Sequence, residues 1–307
     1  MNSHGSFERS FLHPRYWLTW VGLGAFWLFM QLPYPVIIRV GSGAGRLCLR
    51  LLKRRARIAD RNLELCFPEL SPHERQVLVQ RNFDSLGMAL VETGMAWFWP
   101  DKRVRKWFDV EGLANLQRAQ QNQRGVMVVG VHFMSLELGG RVMGLCQPMM
   151  ATYRPHNNPL MEWVQTRGRM RSNKAMLDRR NLRGMVSALK SGEAVWFAPD
   201  QDYGPKGSTF APFFAVNSAA TTNGTYVLSR LSGAAILTIT MIRKPGYAGY
   251  TLYIEPELQD YPIDDEAAAA AWINRVIERE ILRAPEQYLW IHRRFKTRPE
   301  GEASLYL

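Results

Sequence analysis

The sequence predicts an α/β domain with a largely parallel central sheet and flanking helices, preceded by an N-terminal membrane-anchor helix. Three observations carry that reading. Short, continuous apolar runs, Gly125–Phe133 above all, have the character of strands buried on both faces. Helical stretches separate these runs, which is the rhythm of parallel strands joined by crossovers. Ahead of them stands Tyr16–Ile38, 23 residues without a charge.

Within that apolar run Pro33 and Pro35 confine the uninterrupted helical stretch to Tyr16–Leu32. At 1.5 Å per residue it reaches roughly 25 Å, the short end for a hydrocarbon core of about 30 Å. Trp17, Trp20, Trp27 and Tyr34 favour the headgroup region. The expectation is an uncleaved anchor, spanning the bilayer or lying in its interface. A cleaved signal peptide ending near Gly41-Ser42-Gly43-Ala44-Gly45 and a buried core helix are the competing readings. Only Arg9 and Arg15 precede the run, whereas Arg39, Arg46, Arg50, Lys53, Arg54, Arg55 and Arg57 follow it. Positive flanks stay cytoplasmic, so the bulk of the chain is expected on that side, with the cations near anionic headgroups.

The chain then divides as an anchor over 1–40, a helical basic region over 41–110 and an α/β domain over 111–307. Ser71-Pro72-His73-Glu74 is a helix start, with a capping Ser, Pro at the first position and Glu three residues on. The helix runs through Arg75–Phe83 toward Trp97, before Pro100 stops it. Beyond Ala119, strands are expected at Gly125–Phe133, Met149–Tyr153, Ala194–Ala198, Ala234–Ile242 and Tyr250–Ile254. Helices are expected at Ser135–Leu145, Pro159–Arg169, Asn181–Lys190, Thr222–Leu231 and Asp264–Leu282.

Composition narrows the partners. Of 307 residues 47% are hydrophobic, enough for a sizeable core, and the net charge of +12 calls for an anionic partner. The charge is concentrated: residues 39–63 carry eight basic groups against one acidic, residues 150–184 eight against two, and residues 287–299 four against none. Three scattered cysteines with no C-x-x-C argue against a disulfide framework or a cysteine zinc site, and favour a reducing compartment. Neither a metal nor a cofactor is expected.

Among six histidines, His4, His13 and His73 lie ahead of the anchor or in a helix cap. His132 ends the strongest strand, where α/β sheets present their functional loops. Glu137, five residues on, can return a carboxylate to the imidazole, leaving the other ring nitrogen to take a hydroxyl proton. Backbone N–H groups around Met134–Leu136 are candidates for an oxyanion site. A structural histidine remains the alternative. Tyr153-Arg154-Pro155-His156-Asn157-Asn158, with Arg167, Arg169, Arg171, Asn173 and Lys174, offers donors for an anionic ligand. Asp200 at the next strand end can position a substrate hydroxyl, pair with an arginine or simply cap a turn. His292, in a basic and aromatic stretch, reads as packed or interfacial.

These residues also carry a resemblance. Gly130-Val-His132-Phe-Met-Ser-Leu-Glu137, Tyr153-Arg154-Pro155, Arg171-Ser-Asn-Lys174, Ala198-Pro-Asp200-Gln201-Asp202-Tyr203-Gly204 and the stretch Pro285–Arg298 together resemble the late acyltransferases of lipid A biosynthesis. Leu12–Trp20 and Asn62–Phe67 do so too. Within that family the likeness is greatest to members that transfer palmitoleoyl, then lauroyl, chains.

The resemblance implies a glycerolphosphate-acyltransferase-like fold and a bacterial inner-membrane enzyme with its catalytic domain on the cytoplasmic face. It implies acyl transfer from acyl carrier protein to Kdo2-lipid IV(A), forming an acyloxyacyl ester. His132 would be the general base and Glu137 its partner, where the family motif often has Asp. Arg154, Arg171 and Asp200 would bind substrate. Inner-membrane lipid is a further partner and nucleic acid is not. A glycerol-phosphate or lysophospholipid acceptor is the rival enzyme reading. A membrane-bound nucleic-acid binder would leave His132 and Glu137 idle.

Overall fold

Two prolines decide how the chain begins. The computed structural model describes residues 6–121 and 123–306, so His4 lies outside the described residues. Helix α1 (Trp17–Phe29) stops before Pro33, and α2 (Tyr34–Leu51) starts with Pro35 in its first turn. Carbonyls at the break are taken by other groups: Trp99 Nε1 donates to Met30 O at 2.7 Å and Arg103 Nη1 to the same oxygen at 2.9 Å. The spanning form of the anchor expected over Tyr16–Leu32 is therefore corrected. α1 has 13 residues, about 20 Å at helical rise. Among the described residues no helix is long and apolar enough to cross a membrane. Its outer face is nonetheless apolar and open, with Trp17, Leu18, Val21 and Leu28 more than 60% exposed.

Gly41 and Gly45, after the break, form a packing seam. A side chain at Gly45 would put Cβ 2.0 Å from Phe83 O, and one at Gly87 would put it 2.0 Å from Gly41 O. Glycines thus let α2 lie directly on α4 (Pro72–Phe98). In the chain α3 (Lys53–Cys66) joins the two, and its Lys53, Arg54, Arg55 and Arg57 are exposed. The capping box forms as read from the sequence: Ser71 Oγ accepts from Glu74 N, and Ser71 N donates to Glu74 Oε2 at 2.8 Å. The helix continues past Phe83 to Phe98, and the short α5 (Asp101–Val104) follows Pro100.

The α/β part opens with β1 (Phe108–Glu111) and α6 (Leu113–Gln120). Then come β2 (Val126–Gly130), α7 (Leu136–Cys146), β3 (Met150–Tyr153) and α8 (Pro159–Arg169). After β4 (Ala175–Asp178), α9 (Leu182–Lys190) and β5 (Ala194–Phe197), the hairpin β6 (Ser208–Phe213) and β7 (Val216–Thr222) stands apart. The chain closes with α10 (Gly224–Ser232), β8 (Ala235–Arg243), β9 (Tyr250–Ile254) and α11 (Glu266–Leu282).

Seven strands form one sheet in the order β1-β9-β8-β2-β5-β3-β4, parallel throughout except between β8 and β9. All five β2 residues are buried, as expected of a central strand covered on both faces. Separate apolar clusters lie on its two sides, Met127 and Val129 in one, Val126 and Val128 in the other. The sequence reading missed β1, β4 and the hairpin. β1 and β4 have four residues each and sit at the sheet's edges, too short to show a hydrophobic period.

Candidate active site

β2 and β5 are neighbours and parallel, with Val129 opposite Phe197. His132 and Asp200 each stand three residues beyond that pair. The two loops leave the sheet side by side, and the side chains meet. Asp200 Oδ1 is 2.5 Å from His132 Nδ1, and Oδ2 accepts from His132 N at 2.8 Å. Burial of Asp200 would raise its pKa. The charge and two hydrogen bonds of His132, aided by Arg294, outweigh it and leave the carboxyl below its ordinary value. The substrate hydroxyl considered for Asp200 is replaced by the imidazole as its partner, because the residue is fully buried.

The C-terminal stretch braces this strand end. Leu289 N donates to His132 O at 3.1 Å and Met134 N to Gln287 O at 2.7 Å. Tyr288 pairs with Phe133 in an isolated antiparallel bridge. Leu136 N donates to Phe133 O at 3.0 Å, so two of the backbone donors considered for an oxyanion are engaged elsewhere. Asp202, two residues past Asp200, accepts from Thr297 N and Thr297 Oγ1, both at 2.8 Å, and fixes the chain's return.

Glu137 does stand at the opening of α7, but its carboxylate turns to another partner. Arg169, at the end of α8, forms a bidentate pair with it, Nε lying 3.0 Å from Oε1 and 3.2 Å from Oε2. Trp97 Nε1 donates to Oε2 at 3.2 Å from the end of α4. Sequence spacing suggested a His132–Glu137 contact. The fold instead gives each of the two residues its own partner, Asp200 for His132 and Arg169 for Glu137.

His132, Glu137, Arg154 and Arg169 line one cavity of about 290 Å³. With Nδ1 held by Asp200, Nε2 is the ring nitrogen left for that cavity. The buried part of the lining is largely apolar, with Met143, Met149, Met176 and Met241 beside Trp196, and also includes Ser135, Arg141 and Ser172. Gly130 makes room for this lining, since a Cβ there would fall 2.1 Å from Trp196 Nε1. The arrangement sets charged side chains and the imidazole of His132 beside buried methionines in one cavity, a combination that could support acid–base chemistry.

The remaining basic residues divide. Arg154 is exposed on the loop after β3 and lines the cavity. Arg171 donates to Trp97 O at 2.6 Å and Trp99 O at 2.9 Å, tying its loop to the end of α4. Lys174 pairs with Glu193 at 2.8 Å, and Arg167 stacks over Trp163 at 5.5 Å. His156 is built into a turn, its Nδ1 accepting from Asn158 N at 3.0 Å. Burial pushes the pKa of His292 down to about 4, helped by Lys296, His132 and Arg294 and opposed by Asp200. Among the described residues, no group of three or more His, Cys, Asp or Glu stands where it could hold a metal.

A family model of bacterial lipid A biosynthesis acyltransferases matches residues 5–297. The chain is 74% identical over 301 residues to a lipid A biosynthesis palmitoleoyltransferase of Escherichia coli (strain K12), covering 98% of each chain. It is 55% identical over 306 residues to a lipid A biosynthesis lauroyltransferase of the same organism, covering 100% of each. A lipid A biosynthesis acyltransferase of Haemophilus influenzae is 48% identical over 304 residues, with 98% of this chain and 97% of the relative covered.

Proposed function

The chain belongs to the bacterial lipid A biosynthesis acyltransferase family, and on that premise we propose a palmitoleoyl transfer from acyl carrier protein to Kdo2-lipid IV(A). The observation that carries the mechanism is the Asp200–His132 contact beside a largely apolar cavity lining. Asp200 holds Nδ1 and supports the positive charge that develops on the ring. Nε2 takes the proton of the acceptor's hydroxyl, and the hydroxyl oxygen attacks the thioester carbonyl. The tetrahedral intermediate collapses with cleavage of the C–S bond, and His132 returns the proton to the departing thiolate. The product is an acyloxyacyl ester plus the carrier's free thiol.

Glu137 and Arg169 have a different task. Glu137 fixes the Arg169 guanidinium at the cavity wall, where its charge supports the developing oxyanion. The Met-lined part of the cavity takes the acyl chain. Arg154 meets phosphate or carboxylate groups of the acceptor. α1 lies in the interface of the inner membrane with its apolar face in the lipid, and the cations at Arg50, Lys53, Arg54 and Arg57 meet anionic headgroups on the cytoplasmic side. Identity to the palmitoleoyl relative exceeds that to the lauroyl relative, which favours the longer donor.

The test is mass spectrometry of tetra-acylated lipid A precursor incubated with mixed acyl-carrier-protein donors. A palmitoleoyl mass gain is expected, abolished by His132→Ala in a protein that remains folded. Lauroyl gain would change the donor. Acylation of glycerol phosphate alone would overturn the acceptor.

A further inference from the structure

Two substrates with apolar chains must meet at His132, which lines a cavity of about 290 Å³. A second hollow lies against one wall of that cavity. It is a groove of about 780 Å³ between α1 and α8, lined by Trp20, Trp27, Trp97, Trp163, Arg167 and Arg171. Trp97 and Gly168 form the wall it shares with the reaction cavity, since both residues line both hollows. A Cβ on Gly168 would lie 2.6 Å from Trp97 Cδ1, so only glycine lets the wall be this thin. At its Nε1 edge the same indole donates to Glu137.

We propose that this groove seats an acyl chain of the phosphorylated acceptor lipid, while the Met-lined pocket seats the chain being transferred. The inference rests on the acyl-transfer reading above. Three features select this occupant. First, the groove's outer wall is α1, which carries no charge and leaves its apolar face open, so a chain can pass from a lipid phase without crossing water. Second, Arg167 and Arg171 on α8 and the residues after it put positive charge beside an aromatic slot, complementary to a lipid with an anionic head. Third, the groove shares a wall with the reaction cavity, so a chain lying in it runs alongside the cavity that holds His132.

Gly24 and Gly22 make the test clean. Both are on α1, and a Cβ at either meets nothing within 4 Å, but only Gly24 lines the groove. Replacing a mid-helix glycine does not threaten α1, since glycine is about 1 kcal/mol worse than alanine there. Binding of tetra-acylated, doubly phosphorylated glucosamine disaccharide in mixed micelles would be measured directly for Gly24→Phe, Gly22→Phe and the unaltered chain. Steady-state KM would be measured for acceptor and donor in parallel.

Gly24→Phe is expected to weaken acceptor binding and raise its KM by about tenfold, with donor KM and kcat within about twofold. Gly22→Phe should behave like the unaltered chain. Equal effects of the two variants, a rise confined to donor KM, or unchanged acceptor binding in an active enzyme would each overturn the groove assignment. An unaltered chain that transfers no acyl group would count instead against the acyl-transfer reading.

Discussion

Asp200 holds His132 at two points, Oδ1 on the imidazole at 2.5 Å and Oδ2 on the backbone N–H at 2.8 Å. The imidazole is thereby fixed in both tautomer and orientation, and the carboxylate doing it has no exposed surface. Asp200→Asn keeps an acceptor for the backbone N–H but removes the charge that supports an imidazolium. A kcat loss of about 10³–10⁴ is expected, on the scale of an orienting carboxylate in a catalytic triad, with little change in KM. Near-normal kcat in a folded Asp200→Asn protein would refute the assignment.

Glu137 is expected to act through Arg169. Glu137→Gln and Arg169→Gln should each lower kcat, and the double variant should be no worse than the stronger single one. The coupling expected of two groups in one bidentate pair is about 0.5–3 kcal/mol. Full additivity in a double-mutant cycle on kcat/KM would mean that the two act separately.

The contrast between these carboxylates shows what was legible in the sequence. The strand-end position of His132 could be read from the apolar run before it, and so could the sheet class and most helices. Glu137 looked like the partner because it is near in sequence. Asp200 is 68 residues away, and its partnership exists because β2 and β5 are adjacent in register. Adjacency of non-consecutive strands is a property of the whole topology. No local pattern around His132 carries it. At the N-terminus the break at Pro33 and Pro35 is legible in the sequence, but the helix before it is shorter than its apolar stretch: a 3-10 turn takes Pro14–Tyr16 and α1 ends at Phe29. Trp97 and Arg169 could not be matched to Glu137 from sequence for the same reason as Asp200, since α4, α7 and α8 meet only in the fold.

A buried ion pair ties the helical region to the sheet. Arg243, at the end of β8, donates to Glu92 on α4 through Nη2 at 2.8 Å and also through Nε, and Tyr250 Oη donates to the same carboxylate at 2.8 Å. Glu92 has no exposed surface. Glu92→Leu leaves a buried guanidinium without its counter-charge, and a stability loss of about 3–5 kcal/mol is expected. Thermal unfolding checks this, and a loss below about 1 kcal/mol would show the pair to be dispensable.

Acid sensitivity should come in two separate windows. His292 titrates near 6.5 when unfolded and near 4 when folded, chiefly because burial disfavours its charged form and Lys296, His132 and Arg294 add to the effect. Between those values the unfolded chain binds a proton that the folded chain refuses, so stability is full above about 6.5 and falls as pH drops toward 4. Asp200 acts lower. Its folded pKa lies below the ordinary 3.8, so its contribution is present above that value and is lost only as pH falls through the folded pKa. His292→Gln should therefore flatten the fall in Tm between about pH 7 and pH 5 without touching the more acidic transition. Equal slopes for the unaltered chain and the variant across that upper window would show that His292 is not the group that titrates there.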